Sequence, residues 1–262
     1  MNFYLQRGKE VWRYRGMIFS LVRRELRGRY KRSFLGFAWT FLNPLLQLLV
    51  YTIVFSSILR VEVKNYPLFL FVALIPWAFF SAALTGGCRA VVAQGDMVKK
   101  IAFPRETLPI SYVTAGFINM LCCFVVIFAV MAASGAAFNA RALCWLPFVL
   151  ASEYVLCLGV ALLVSAVTVY CRDLEYMLGI AAMMWMYLTP VLYPLSMAPS
   201  AYRALLLLNP MTPVIAACRD ILYAAQVPDH FTLAHSCAAG WLVLAAGWRV
   251  FDRLQRGFAE EL

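Results

Sequence analysis

The sequence contains no G-x-x-x-x-G-K-[ST] run, the glycine-rich loop whose backbone N–H groups cradle nucleotide phosphates. Its double glycine, Gly86-Gly87, leads into Cys88-Arg89 at the end of an apolar run, so it is no substitute. Nucleotide hydrolysis by a P-loop in this chain is therefore excluded. Histidine is scarce, with only His230 and His235, and Asp plus Glu number 13 against 23 Lys plus Arg. Lone loop histidines read as solvated surface residues, and the acidic pair Asp173/Glu175 adjoins Arg172 as in an ordinary solvated turn. General acid–base catalysis has little to work with. The eight cysteines form no C-x-x-C pair and no Cys/His ligand spacing, so no metal site is expected. Cys122, Cys123 and Cys157 lie inside apolar runs, where a thiol acts as a small hydrophobe. Cys218 and Cys237 flank a segment expected outside, and a disulfide between them stays open. Residues 1–32 hold ten Lys/Arg and no long apolar core, so no cleavable signal peptide is expected.

What the sequence has in excess is apolar surface. Hydrophobic residues make up 63%, where a soluble domain is nearer half, and the few charges are clustered. Uncharged or nearly uncharged runs cover 33–59, 65–88, 107–140, 142–171, 176–193 and 231–248. At about 20 residues per crossing, these give six spans, set at 34–59, 66–88, 109–135, 147–170, 175–193 and 231–249. A seventh apolar piece, 204–218, contains Pro210 and Pro213 and is too short and too broken to cross. A re-entrant element fits it, since irregular backbone is tolerated at membrane depth where protein or a water-filled cavity covers it. The fold expected is an all-α integral membrane protein, one domain over 1–262. It has six transmembrane helices, an N-terminal amphipathic interface helix and short re-entrant helices between spans five and six.

With both termini inside, eighteen of the 23 Lys/Arg fall on inner segments and five outside. Such an excess marks cytoplasmic loops. The net charge of +10 is then a topological signal, and no nucleic-acid partner is needed to explain it. Residues 17–32 read MIFSLVRRELRGRYKR. On a helix, Ile18, Phe19, Val22, Leu26 and Tyr30 share one arc, and Arg23, Arg24, Arg27 and Lys31 another; Leu21 and Arg29 break the pattern. This describes a helix lying in the headgroup plane, each basic residue adding about 1 kcal/mol of attraction to an anionic leaflet. Two roles stay open for Arg23, Arg24, Arg27, Arg29 and Lys31. They anchor the chain to membrane lipids, or they meet the phosphate of a lipid-linked substrate, which a planar guanidinium pairs well.

Between spans two and three, residues 95–109 read GDMVKKIAFPRETLP. Asp96 suits an N-cap. Met97, Val98 and Ile101 lie on one side, and Pro104 pushes Phe103 out of the α region. A short basic helix over 96–103 is expected. Its apolar side either docks a partner or lies flat on the membrane.

Several of these segments resemble a known family. Arg29-Tyr30-Lys31, Ser33, Leu35-Gly36, Trp39 and Pro44 are similar to the first-span signature of type-2 ABC permeases that export O-antigen, teichoic acid and capsular glycans. Lys99-Lys100, Phe103-Pro104-Arg105-Glu106 and Leu108-Pro109 resemble their coupling-helix loop. Arg172-Asp173-Leu174 and Asn209-Pro210 also match. Asp96-Met97 departs from the Asn-Leu of many relatives, which bears on which ATPase docks. The resemblance implies a homodimer in a bacterial cytoplasmic membrane, served by two copies of a separate ATPase that binds ATP and Mg. It implies that Asp96, Met97, Val98, Lys99, Lys100, Ile101, Phe103 and Arg105 couple to that ATPase. It also implies that 195–229 forms two short helices dipping in from the outer side as a gate.

A glycan path needs hydroxyl-binding groups and flat apolar faces, and aromatic side chains offer both. Trp39, Tyr51, Trp185, Tyr187 and Tyr193 are the candidates, against the ordinary enrichment of Trp and Tyr at membrane interfaces. Glu153 is the one acid well inside a span, a functional candidate by default. Near the outer end of span four it is expected to be partly hydrated, either touching substrate or making a structural hydrogen bond. Arg219 and Asp220 are the polar candidates of the gate, against a purely structural plug. Polysaccharide export leads. A drug or simple-lipid exporter of like architecture and a membrane glycosyl- or acyltransferase are the alternatives.

Overall fold

The computed structural model describes residues 2–30, 34–58 and 63–262. Lys31, one of the basic candidates, lies outside them. Fourteen α-helices follow one another, with no strand among the described residues. They are α1 (Asn2–Arg13), α2 (Arg15–Tyr30), α3 (Trp39–Thr52), α4 (Tyr66–Thr85), α5 (Arg89–Val92), α6 (Gly95–Lys100), α7 (Thr107–Ala133), α8 (Ala140–Leu143), α9 (Leu146–Tyr170), α10 (Leu174–Tyr187), α11 (Ser200–Leu208), α12 (Met211–Leu222), α13 (His230–Leu254) and α14 (Phe258–Glu261). Among the described residues, five helical stretches are long and apolar enough to cross a bilayer: Gly36–Phe55, Tyr66–Thr85, Thr107–Ala133, Ala140–Tyr170 and His230–Glu261. They correspond to expected spans one, two, three, four and six.

Span five differs. Expected over 175–193, its helix stops at Tyr187 after 14 residues. At 1.5 Å per residue that is about 21 Å, short of the roughly 30 Å of hydrocarbon. Pro190 is the reason, because a proline disfavours helical backbone in the residue before it and cannot donate to the helix itself. Residues 188–193 form an irregular turn, with Thr189, Pro190, Val191 and Leu192 buried. The apolar piece after it is the expected re-entrant element: α11 and α12 meet at 94° across Asn209-Pro210.

Local sequence explains where the long helices begin. Proline stands in the first turn of α4 and of α9, where its missing N–H costs nothing. Before α4, Asn65 takes the left-handed conformation, φ 50°. Asp229 caps α13, its carboxylate accepting from Phe231 N at 3.2 Å. The core is built on α4 and α9, whose windows are 78% and 72% buried, against 6% for α3. Close approach of α9 and α13 depends on small residues. A Cβ at Gly159 would stand 2.5 Å from Leu244 N, and Ser152 and Ser236 hydrogen-bond across the pair at 2.7 Å.

The amphipathic helix is more divided than its two arcs suggested. It starts at Arg15 and follows a further helix, α1, that was not anticipated. Leu21, which broke the pattern, is buried together with Val22 where α2 packs on α7, while Phe19 points outward. One side of α2 is therefore protein-facing and another is left for lipid. The last turn of α1 and the C-terminal residue lie beside the 95–106 loop. Glu10 of α1 and Tyr14 just after it border a cleft of about 360 Å3 with residues 101–105, and Leu262 abuts Gly95.

Candidate functional site: a polar stripe, a locked turn and the 95–106 loop

On α3, Trp39, Asn43, Gln47 and Tyr51 recur every fourth residue, and i, i+4 neighbours share a helix face. They form a stripe, aromatic at each end and amide between, on the least buried of the five long stretches. Two cavities flank it. One, of about 320 Å3, lies between α3, α4 and α7 and is lined by Trp39, Asn43, Gln47 and Asn119, with Arg29 at its rim. The other, of about 480 Å3, lies between α3, α4 and α10 and is lined by Tyr51, Ser81, Thr85 and Gly179. Asn43, Gln47, Ala78 and Ala82 border both. The small side chains of Ala78 and Ala82 leave the space, and the amides and hydroxyls set polar groups into an otherwise apolar lining. Exposed carboxamides within hydrocarbon would be costly, so such a stripe needs a wet or polar neighbour.

Of the five aromatic candidates, Trp39 and Tyr51 line these cavities. Trp185, Tyr187 and Tyr193 do not. Trp185 packs edge-on against Phe80 at 5.2 Å, Tyr187 is 60% exposed, and the Tyr193 hydroxyl donates to Tyr187 O at 3.0 Å. The part of α10 that lines the second cavity is made by Gly179, Ala182, Met183 and Met186 instead, and Tyr193 lies beyond the end of α10. Asn43, Gln47 and Asn119 were missed. For Asn43 and Gln47 the signal was present as four-residue spacing from Trp39, but amides inside an apolar run draw no attention on charge or hydropathy; Asn119, on α7, carried no such signal.

The gate candidates separate. Arg219, on α12, is buried and is matched by main-chain carbonyls alone. Its guanidinium donates to Pro190 O at 2.5 Å, Val191 O at 2.6 Å, Tyr193 O at 3.3 Å and Phe69 O at 3.4 Å, and it stacks 3.6 Å from the Phe69 ring centre. Planar, five-donor geometry suits one residue to so many acceptors. Tyr66 OH adds a bond to Leu192 O at 2.9 Å. Asn209 donates to Thr189 Oγ1 at 2.8 Å and accepts from Met211 N at 3.0 Å. The irregular turn that ends α10 is thus locked onto α4 and α12. Asp220, next on α12, is half-buried, and its main-chain carbonyl accepts from Gln226 N at 2.7 Å. Cys218 and Cys237 are both free, so the disulfide left open does not form.

Glu153 overturns its expectation. It is fully enclosed rather than partly hydrated, and neither carboxylate oxygen has a hydrogen-bond partner among the described residues. The cause is the central position of α9, packed by α4, α7, α12 and α13. Removing an unsatisfied buried polar group without opening a cavity is expected to stabilise. Glu153→Met should raise the stability of the detergent-solubilised protein by about 1–3 kcal/mol in thermal unfolding. A fall instead would mean that the carboxyl is hydrogen-bonded within the membrane.

The basic candidates also divide. Arg29 is held by Glu25 Oε1 at 3.2 Å and lies 5.5 Å over the Tyr112 ring. Arg23, Arg24 and Arg27 are exposed, and Arg23 and Arg27 border an apolar groove of about 720 Å3 between α2 and α7. In the loop, the helix expected over 96–103 is shorter, Gly95–Lys100, and Ile101 is already extended. Asp96 lies in its first turn, exposed, and Gln94 holds the cap position. Val98 faces the protein and Met97 is half-buried, while Lys99, Lys100 and Ile101 are exposed. The expected single apolar side is therefore split. Phe103 is half-buried, and Arg105 turns inward, donating to Gln255 O and lying 5.8 Å over the Phe258 ring.

A multi-pass helical bundle with a broken re-entrant pair and a polar stripe on its least buried span defines a membrane transport protein. The chain belongs to the ABC-2 type transporter family, whose pattern matches residues 17–223. It is 36% identical over 260 residues to the O-antigen export system permease protein RfbA of Myxococcus xanthus, covering 97% of this chain and 98% of that one. An RfbA of the same description from Klebsiella pneumoniae is 29% identical over 251 residues, covering 94% and 96%. The polysialic acid transport protein KpsM of Escherichia coli is 23% identical over 217 residues, covering 82% and 84%.

Proposed function

We propose that this chain is the permease subunit of an ABC transporter that exports a lipid-linked polysaccharide across the bacterial cytoplasmic membrane. A separate ATPase subunit, binding ATP and Mg, drives it. The observation that carries the reading is the stripe Trp39–Asn43–Gln47–Tyr51 with cavities of mixed polar and apolar lining on both sides. Aromatic faces suit sugar C–H faces, and the amides suit hydroxyls. Relatives named as O-antigen and polysialic acid transport proteins support the substrate class. The missing P-loop supports a separate ATPase.

Two copies of the chain enclose the path, with α3 turned toward the partner copy or the conduit. Its slight burial within one chain supports that arrangement. Two ATPase subunits dock on the inner side against α6 and the exposed Lys99, Lys100 and Ile101. Both termini are cytoplasmic, supported by the charge bias and by the closeness of α1 and Leu262 to that loop. Exposed Arg23 and Arg27 meet the phosphate of the lipid carrier at the inner leaflet.

The test is deletion of the gene followed by location of the glycan. Lipid-linked polymer accumulating inside the cell is the expected result. Loss of polymer synthesis would assign the chain to assembly rather than export. Co-purification of an ATPase with the tagged permease is expected in the same cells.

A further inference from the structure

We infer that the C-terminal turn, residues 255–262, is a strut that holds the cytoplasmic loop 95–106 to the ends of α7, α9 and α13, so that movement of the loop reaches all three helices together. This rests on the reading that an ATPase acts on that loop. The covalent path alone is weak, because α6 ends at Lys100 and Ile101 is extended before α7 begins at Thr107. A short unhelical link transmits little unless something else fixes it. The C-terminal turn does so through side chains that come from every element in question.

From the loop, Arg105 donates to Gln255 O and lies over the Phe258 ring. At the cap of α7, the buried Glu106 accepts from Gln255 Nε2 at 3.2 Å. At the last residue of α9, Tyr170 OH donates to Leu254 O at 2.8 Å, and its ring stands 6.3 Å from Phe258. On α13, Phe251 meets Phe258 edge-on at 5.4 Å, and both rings are fully buried. On α6 the tail closes the circuit. A Cβ built on Gly95 would lie 3.7 Å from Leu262 Cβ. A fully buried aromatic held by a cation from the loop and by rings from α9 and α13 does more than terminate a helix. Buried packed networks of this kind move as one body or not at all. Arg105, Gln255 and Phe258 are thus positioning residues for coupling.

The test uses the complete complex of permease and ATPase in membranes. Phe258→Ala should leave ATP hydrolysis by the assembled complex within about twofold while export per complex falls about tenfold, a mid-range coupling effect. Phe258→Leu, which keeps most of the buried volume, should restore export. Should export per assembled complex stay unchanged in Phe258→Ala, or should export and hydrolysis merely fall together with the amount of permease, the strut is overturned. Gly95→Cys with Leu262→Cys reads the same point without opening the core, since the spacing matches the Cβ–Cβ distance of a disulfide. With that crosslink formed, and located by mass spectrometry, export should persist. Export that stops on oxidation and returns on reduction would mean the tail must leave the loop, which also overturns the proposal. Failure of the unsubstituted permease to bind an ATPase would instead sink the underlying reading.

Discussion

Arg219→Lys should cost the protein most of its folded yield and all of its export, although the charge is kept. Four main-chain carbonyls converge on the guanidinium, from Phe69, Pro190, Val191 and Tyr193. An ammonium is a compact point charge with three donors on a flexible stem, and it cannot span this set or stack on Phe69. At least one buried carbonyl is then left without a donor. Each such loss costs about 1–3 kcal/mol, and a buried charge with incomplete partners adds to it. The expected destabilisation is about 2–5 kcal/mol, from one or two stranded carbonyls at about 1–3 kcal/mol each. Thermal unfolding of the purified permease measures it. Arg219→Met removes the charge but strands all four carbonyls, so it should be no milder. A near-normal melting temperature in either variant would mean that the turn 188–193 is held by Tyr66 and Asn209 alone.

Arg219 also shows how far the sequence carried. The sequence singled it out only as a polar candidate of the gate region, with a structural plug as the alternative. Its acceptors were not legible. They are backbone atoms, and carbonyls carry no sequence signature. The length of span five was misread for a related reason. Hydropathy runs through Leu188, Val191 and Leu192 without a break, but the backbone cannot stay helical into Pro190. Apolar composition reports burial, and here the buried segment is an irregular turn.

The five long helices, the re-entrant bend and the absence of a P-loop could be read directly, because each follows from composition over twenty or so residues. The finer features could not. The loop helix stops at Lys100, with Ile101 already extended, three residues before Pro104 would have ended it, and Arg105 reaches the C-terminal turn 150 residues further along. Leu21 looked like a fault in an amphipathic pattern and is the contact to α7. Glu153 looked near the outer end of its span, but only tertiary packing shows that α9 is enclosed.

The stripe on α3 gives the sharpest division between a conduit and an ordinary lipid-facing helix. Asn43→Leu combined with Gln47→Leu replaces two exposed carboxamides by apolar side chains of similar size. If α3 faced only lipid, the change would favour insertion and leave transport alone, since polar groups in hydrocarbon are unfavourable. If the stripe contacts a passing glycan, the amides supply hydrogen bonds to its hydroxyls. Losing two bonds of about 0.5–1.5 kcal/mol each slows export by roughly tenfold or more. The double variant should therefore reach the membrane at or above the normal level while surface glycan falls. Trp39→Ala and Tyr51→Ala should act in the same direction, and Tyr187→Ala, outside both cavities, should not. The opposite ranking, with Tyr187 sensitive and the amides indifferent, would move the path from α3 to the outer face of α10.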